Sequence, residues 1–228
     1  YVTIATTGDS TSFGTLANVR IGHPAGFASQ TRGIVAGGEN PSNTNSIEYL
    51  TIATLGNGQE FGDINNALQG ASGGGSSTRG IIAGGFTPTV LNVIDYITIS
   101  TLGDAVDFGD LTQARRGASK GQSNNSTRFV MYGGQTPSYV NTIDYLTIAT
   151  LGNAVDFGDA TGGTASAVSA ACASPTRCVF VGGNSSDPTI VNDISYIEFA
   201  TLGNGIDFGN AVSAVAGASG CSNGHGGL

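Results

Sequence analysis

The chain has 228 residues, of which 11% are charged and 37 are glycine. With 16 acidic against 8 basic residues, its formal net charge of −8 argues against a nucleic-acid partner, because phosphates require clustered Lys and Arg. No apolar run approaches the roughly 20 residues that a membrane-spanning helix needs. We therefore expect no nucleic-acid binding and no membrane span, and the composition favours a β-rich protein.

An eight-residue phrase recurs along the chain at intervals of 47 to 51 residues. A Phe-Gly pair follows each copy, and an Arg shortly precedes a Gly-Gly pair in each full unit. This period indicates stacked supersecondary units. The phrase reads YVTIATTG at Tyr1, YLTIATLG at Tyr49, YITISTLG at Tyr96, YLTIATLG at Tyr145 and YIEFATLG at Tyr196. The repeats of this single domain run over about 1–48, 49–95, 96–144, 145–195 and 196–228.

One unit, residues 112–159, contains four short apolar segments separated by turn residues. In its third segment Ile143 and Tyr145 face one way, while Leu146 and Ile148 face the other. A strand with apolar groups on both faces is buried on both sides. The pattern predicts an all-β fold with almost no helix, in which blades of four antiparallel strands form a β-propeller.

The two ends of the chain predict how the ring closes. Residues 1–16 contain the third and fourth strands of a unit, and residues 211–228 contain a first strand with a weak second one. Together they predict a composite blade that completes a five-bladed ring. The chain starts at Tyr1 without a Met, which suggests processing or a longer parent chain.

Repeated charged residues suggest a structural network. Because guanidinium groups bind carboxylates in bidentate fashion, we predict ion pairs that fix blade register. The arginines are Arg32, Arg79, Arg128 and Arg177, and the acids that precede the repeat Tyr are Glu48, Asp95 and Asp144. No Gly-Gly pair is followed by the Lys-Ser/Thr of a phosphate loop, so we interpret these pairs as strand ends where backbones approach closely.

Metal and thiol chemistry receives little support from the sequence. His23 and His225 do not recur between repeats, and we expect no metal. Cys172 and Cys178 flank a predicted turn, so a cross-hairpin disulfide and two reduced, packed thiols both stay open. Cys221 occupies the repeat position of Cys172, which favours a packing role.

The loops that follow the Gly-Gly pairs vary most between repeats and should share one face of the propeller. We predict that Asn43, Phe86, Tyr139 and Asn184 contribute to binding there. The alternative is that the aromatic rings only cover the blade ends. Because these residues do not recur in every blade, a protein partner is favoured over repeated sugar sites.

The order of Arg, apolar strand, Gly-Gly, acidic residue-Tyr and fourth-strand aromatic, as in RFVMYGG with IDYLTIATLGNAVDF, resembles the kelch repeat along essentially the whole chain. The fourth-strand aromatic is Phe here rather than the family's usual Trp. The phrase is also similar to kelch-like repeats of tailed-phage virion proteins, especially those of cyanophages. This resemblance implies a noncatalytic virion structural or appendage protein, part of a phage tail or fibre, that docks to other virion proteins or displays a host-facing surface.

Two other functions remain as alternatives. One is a lectin-like propeller that binds a host surface glycan or receptor. The other is a galactose oxidase-like enzyme, whose copper site requires two Tyr, two His and a Cys crosslink in that family. His23 and His225 are the only histidines, and no Ser-His-Asp arrangement can be proposed. We therefore predict a protein that is not an enzyme and needs no cofactor.

Overall fold

A computed structural model describes residues 1–3, 5–20, 22–118, 120–121, 123–161, 169–186 and 189–222. All regular structure in this part of the chain is β-strand, with no helix, as the sequence predicts. Blade 1 contains β1 (Ala25–Ala28), β2 (Arg32–Ala36), β3 (Ser46–Thr51) and β4 (Gln59–Asp63). Blade 2 contains β5 (Ser72–Gly75) and β6 (Arg79–Ala83), then a small hairpin of β7 (Phe86–Thr87) and β8 (Thr89–Val90), then β9 (Val93–Thr98) and β10 (Val106–Asp110).

Blade 3 contains β11 (Lys120–Gly121), β12 (Arg128–Tyr132), β13 (Thr142–Thr147) and β14 (Val155–Asp159). Blade 4 contains β15 (Ala170–Ala173), β16 (Arg177–Ser186), β17 (Thr189–Glu198) and β18 (Ile206–Asn210). Within each blade, consecutive long strands pair antiparallel. The four sheets form a propeller-like ring.

The ring has four blades, so the prediction of a fifth, composite blade is wrong. Residues 1–16 lie against blade 1, where Gly56 N–H donates to the Phe13 carbonyl at 3.0 Å. The C-terminal segment instead lies beside the inner strands of blades 3 and 4, through a parallel bridge between Gly121 and Gly220. The two segments therefore attach to different blades. Most of the proposed second strand, residues 223–228, lies outside the described residues.

Blade 3 departs from the regular order at its inner strand. β11 pairs parallel with β15 of blade 4, which leaves β12, β13 and β14 as a three-stranded sheet. The approach depends on glycine, because a Cβ on Gly121 would lie 2.4 Å from the carbonyl oxygens of Ala171 and Gly220. No larger residue fits this contact without a backbone shift.

The hydrophobic cores lie between blades. Three cores join blade 1 to blade 2, blade 2 to blade 3, and blade 3 to blade 4. β13 shows why both faces of a strand are apolar: Leu146 and Ile148 pack toward blade 2, whereas Ile143 and Tyr145 pack toward blade 4. This confirms the two-sided burial that the sequence predicts.

Hydrogen bonds at the outer edge also join consecutive blades. Between blades 2 and 3, Gly152 N–H donates to the Phe108 carbonyl at 2.9 Å, and Ala154 N–H donates to the Asp110 carbonyl at 2.8 Å. Asp110 N–H in turn donates to Asn153 Oδ1 at 3.0 Å. We call this three-bond arrangement the outer junction. It recurs between residues 13–15 and 56–58, 61–63 and 103–105, and 157–159 and 203–205.

In blades 1 to 3 a Gly-Gly pair directly follows the second strand, and in blades 1 and 2 it also contacts the connector to the next unit. Gly84 N–H donates to Val93 in its own blade, whereas Gly85 N–H donates to the Arg115 carbonyl of the following connector. Gly84 has a φ of +67°, and a Cβ there would lie 2.4 Å from the Arg115 oxygen. The interpretation of these pairs as strand ends is confirmed in blades 1 to 3, whereas in blade 4 Gly182 and Gly183 lie within β16. The close backbone approach is found there too, because a Cβ on Gly182 would lie 2.2 Å from the Val215 oxygen.

Candidate functional site

Asn43, Phe86 and Tyr139 lie between the second and third strands of their blades, and Asn184 lies near the end of β16, the second strand of blade 4. The structure joins these four predicted binding residues in two cross-blade pairs. Asn43 Nδ2 of blade 1 donates to the Phe86 carbonyl of blade 2 at 2.8 Å. Asn184 Nδ2 of blade 4 donates to the Tyr139 hydroxyl of blade 3 at 3.3 Å. All four residues are half-buried.

Arg116 connects the two pairs, and sequence analysis missed it. Its guanidinium carbon lies 4.5 Å from the centroid of the Phe86 ring, a cation–π distance. Its backbone N–H donates to the Gln135 carbonyl at 2.9 Å, and Gln135 N–H donates back at 2.8 Å. Gln135 then bridges to Tyr139 within the same loop. The adjacent arginines at 115 and 116 are the sequence feature that could have drawn attention to this position.

A continuous row of contacts therefore crosses all four blades. We call it the loop strip, and its members are Asn43, Phe86, Arg116, Gln135, Tyr139 and Asn184. The contacts agree with the interpretation that the aromatic rings cover blade ends. The loop tips, which include Pro88 and Pro137, project beyond the strip and are exposed. The strip is thus a connected row of contacts at the base of the variable loops.

The repeated arginines do not form the predicted ion pairs, so that prediction is wrong for Arg32, Arg79 and Arg128. Each stacks over the repeat Tyr of its own blade at 4.5 to 4.8 Å. Each also donates Nη1 to a carbonyl of the next blade, as Arg79 does to Ile148 at 2.7 Å.

Strand register explains why the predicted pairs do not form. Arg79 lies opposite Thr98, whereas Asp95 lies opposite Ile82, three positions farther along β6. The side chains of an Arg and an acid at this separation do not meet across the ladder. In blade 4, Arg177 pairs with Glu198 at 3.0 Å, but both side chains are about half exposed.

The acids of blades 1 and 3 bind the connector that precedes their own blade. Asp144 accepts bonds from Thr112 N–H at 3.1 Å and Thr112 Oγ1 at 2.6 Å, and pairs with Arg115 Nη2 at 3.0 Å. Glu48 accepts from Ala17 N–H at 2.7 Å and pairs with Arg20 Nη2 at 2.8 Å. All four paired side chains are almost fully buried.

Blade 2 uses the same position without a cation. Asp95 accepts from Asn65 N–H at 3.2 Å and Asn65 Nδ2 at 2.7 Å, and Leu68 occupies the position of the arginine. Burial raises the pKa of Asp95 against the effect of the Asn65 hydrogen bonds. Burial also acts on Glu48, but the hydrogen bonds from Arg20, Ala17 and Asn18 outweigh it and lower its pKa. The presence or absence of the connector arginine thus distinguishes the two carboxylates.

In the wild-type protein the free energy of unfolding is expected to fall as pH rises through the pKa of Asp95, and replacing Asp95 with Asn should abolish this fall. A folded-state pKa above the unfolded value of about 3.9 means that the folded state holds more protons in that window, so the free energy of unfolding falls as pH increases through it. Urea denaturation across acidic to neutral pH measures the difference between wild type and Asp95→Asn. The exposed control Glu60→Gln should not reproduce that difference; a constant offset for Asp95→Asn at every pH would contradict the prediction.

A cavity of about 510 Å³ lies between the inner strands of blades 1, 2 and 3 and the C-terminal segment. His23, Phe27, Gly73 and Cys221 are among its lining residues. His23 is exposed, and its carbonyl accepts a bond from Gly70 N–H at 2.9 Å. The described residues contain no cluster of three or more His, Cys, Asp or Glu that could hold a metal. His225 lies outside the described part of the chain.

All three cysteines are free thiols. Cys172 lies opposite Val179, and Cys178 lies opposite Ala173. The two cysteines that were candidates for a disulfide are therefore not direct cross-strand partners. Cys178 is fully buried, and burial raises its pKa, with Cys172 as a second contribution. Cys221 is exposed, in contrast to the packing role that its repeat position favours.

Comparison with known proteins does not assign this chain to a family. No family model matches it, and no curated protein matches it. Within the described residues, no helix has the length and apolar character needed to cross a membrane.

Proposed function

We propose that this protein is a noncatalytic virion structural or appendage protein of a tailed phage that docks to other virion proteins through its loop strip and the tips above it. The observation that carries the docking role is the unbroken row of contacts from Asn43 to Asn184 across four blades. The virion assignment rests on the resemblance of the repeated sequence motif to the kelch-like repeats of tailed-phage virion proteins.

The distribution of variable and constant residues supports docking. Constant residues such as Arg79, Tyr96 and Phe108 are used in contacts that hold strands and blades together. The loops after the Gly-Gly pairs, which differ between repeats, form the outer surface of one face. Because the strip fixes the base of these loops, a partner would bind them with a smaller loss of conformational entropy than free loops impose. Arg116 also places a cation in the loop strip of a chain whose formal net charge is −8.

The virion assignment is tested by mass spectrometry of phage particles, purified through a density gradient, that derive from the genome encoding this chain. We expect peptides from all four blades to co-purify with intact particles at constant ratio to the known structural proteins. Their loss from particles after a salt wash that leaves infectivity unchanged would contradict a structural role.

The docking face is tested by a photocrosslinking amino acid at Pro137, on a loop tip, with the same residue at Leu151 as the matched control. Both positions are exposed, but Leu151 lies in the turn between β13 and β14, at the opposite end of the blade. In reconstituted particles we expect a crosslink to one virion protein from position 137 and none from position 151. Equal crosslinking from both positions would contradict a specific loop face.

A glycan-binding experiment on this protein distinguishes the lectin-like alternative from protein docking. In this structure the Asn184 amide and the Tyr139 hydroxyl bind each other, so these groups already satisfy part of the hydrogen bonding that a sugar would need. A glycan array that gives binding abolished by Tyr139→Ala would favour the carbohydrate function over protein docking.

A further inference from the structure

The outer junction has two halves, and each internal blade uses both. The fourth strand supplies two carbonyls and one N–H, and the turn of the following repeat supplies two N–H groups and one side-chain oxygen. The fourth-strand phenyl ring is covered as part of the same contact: Phe61, Phe108 and Phe157 are each 3% exposed. Phe108 packs in one core with Leu146, Ile148 and Ala154 of the next blade.

The last blade presents the first half of a junction to which none of the described residues binds. Phe208 keeps the edge-to-face contact with Tyr196 that the other blades have, yet it is 61% exposed. A Cβ on Gly209 would meet no atom within 4 Å, whereas a Cβ on Gly109 would lie 2.6 Å from Gly152. We call residues 208–210 the tail edge.

The N-terminal segment presents the other half. Residues 7–10 read Thr-Gly-Asp-Ser, which corresponds to Leu-Gly-Asp-Ala at 102–105 in the junction between blades 1 and 2. Gly8, Asp9 and Ser10 are exposed. Val2, at the position of the buried Ile97 and Leu146, is 59% exposed. We call Val2 and residues 8–10 the head edge.

The N-terminal segment that carries the head edge already makes contacts of the kind found within the blades. The Tyr1 amino group donates to the Thr11 carbonyl at 2.6 Å, and Thr11 N–H donates back to the Tyr1 carbonyl at 2.9 Å. Tyr1 and Phe13 make an edge-to-face contact at 6.2 Å, close to the 5.8 to 6.2 Å found between the corresponding rings in all four blades. Docking therefore requires little reorganisation.

We propose that the tail edge of one molecule binds the head edge of a second copy of this chain and forms a fifth outer junction between molecules. Gly8 N–H would donate to the Phe208 carbonyl, Ser10 N–H to the Asn210 carbonyl, and Asn210 N–H to Asp9. Val2 would cover Phe208. This proposal goes beyond the proposed function and does not depend on it.

Charge favours the match between the two edges, and geometry favours a second copy. The junction between blades 1 and 2 already places Asp104 beside Asp63, whereas the new junction pairs Asp9 with Asn210 and so avoids that repulsion. Within one chain, the described residues show no core between blades 1 and 4 and no bond between the two edges. The contact is heterologous, so each added copy presents a new free edge and the assembly extends head to tail.

The proposal is tested first by sedimentation velocity of the purified chain over a wide concentration range. We expect species at integer multiples of the single-chain mass that grow with concentration. Gly209→Ala blocks the tail edge and Ser10→Pro removes a head-edge N–H; each variant alone should stay monomeric. Val212→Ser, which changes a fully exposed side chain near the tail edge, should assemble like wild type. Circular dichroism and denaturation midpoints establish that each variant is folded, and Val2→Asp replaces Ser10→Pro if the proline variant is not.

Mixing the two blocked variants gives the decisive result. Gly209→Ala retains a head edge and Ser10→Pro retains a tail edge, so an equimolar mixture should form dimers and nothing larger. A wild-type chain that stays monomeric at every concentration overturns the proposal, as does a blocked variant that oligomerises alone. Closure of the two edges within one chain would give the first of these results, and symmetric pairing of like edges would give the second.

Discussion

Arg115→Leu is expected to destabilise the protein by about 3–5 kcal/mol, because it leaves the Asp144 carboxylate buried without a cation and with only the two hydrogen bonds from Thr112. The Arg115 and Asp144 side chains are 0% and 1% exposed, and their Nη2–Oδ2 distance is 3.0 Å. Leucine should fit at this position, since Leu68 occupies the equivalent place before blade 2 and is itself buried. The cost is therefore electrostatic rather than steric. Equilibrium urea denaturation at neutral pH measures it.

Two further variants separate the buried pair from a general effect of losing an arginine. Arg177→Leu breaks a salt bridge of the same 3.0 Å length, but at the surface, where such pairs contribute about 0–1 kcal/mol. Arg115→Leu combined with Asp144→Asn should recover most of the loss, because Nε and Nη1 of Arg115 are buried without hydrogen-bond partners and the intact pair is itself imperfectly compensated. A double variant as unstable as Arg115→Leu alone would refute this explanation.

Gly109→Ala is expected to cost about 1–3 kcal/mol more than Gly209→Ala, because only the first Cβ meets the next blade. The two glycines follow Asp-Phe in the same repeat position and have similar φ values of +145° and +135°. Alanine should therefore cause nearly the same backbone strain at both positions. At Gly109 the added carbon would lie 2.6 Å from the carbonyl carbon and oxygen of Gly152, whereas at Gly209 it meets nothing within 4 Å.

The comparison is made by urea denaturation of dilute protein, in which the tail edge is unoccupied. Gly158→Ala should behave like Gly109→Ala, since its Cβ would lie 2.5 Å from Gly203. Equal losses at positions 109 and 209 would show that backbone strain alone sets the cost, and that the outer junction contributes nothing to stability.

Sequence periodicity is sufficient to predict the strands and their two-sided burial, because both follow from local spacing. Ile143 and Leu146 illustrate this: their alternation along β13 places them in different cores. The partners of the buried acids could not be predicted in the same way. Asp144 and Asp95 bind backbone N–H groups of Thr112 and Asn65, and every residue except proline has such a group. The side chains that complete the contacts, Thr112 and Asn65, differ between repeats, so no repeated residue marks the partner of the acid.

The candidate site was predicted as a set of residues but not as an arrangement. Phe86 and Tyr139 were identified because the loops vary, which says nothing about their neighbours. Their contacts cross blades: the Phe86 carbonyl accepts a hydrogen bond from Asn43, and the Phe86 ring lies against the Arg116 guanidinium. Blade number failed for a similar reason, since matching segments at the two ends of a chain do not determine whether they meet.

The position of the cores between blades has a consequence for the order of unfolding. Among the described residues, an inner blade is held by two cores, whereas blade 4 shares a single core, with blade 3. Nearest-neighbour coupling of this kind makes loss of structure progress inward from an end, one blade at a time, instead of beginning in the middle. A copy bound at the tail edge would therefore protect blade 4 from unfolding first.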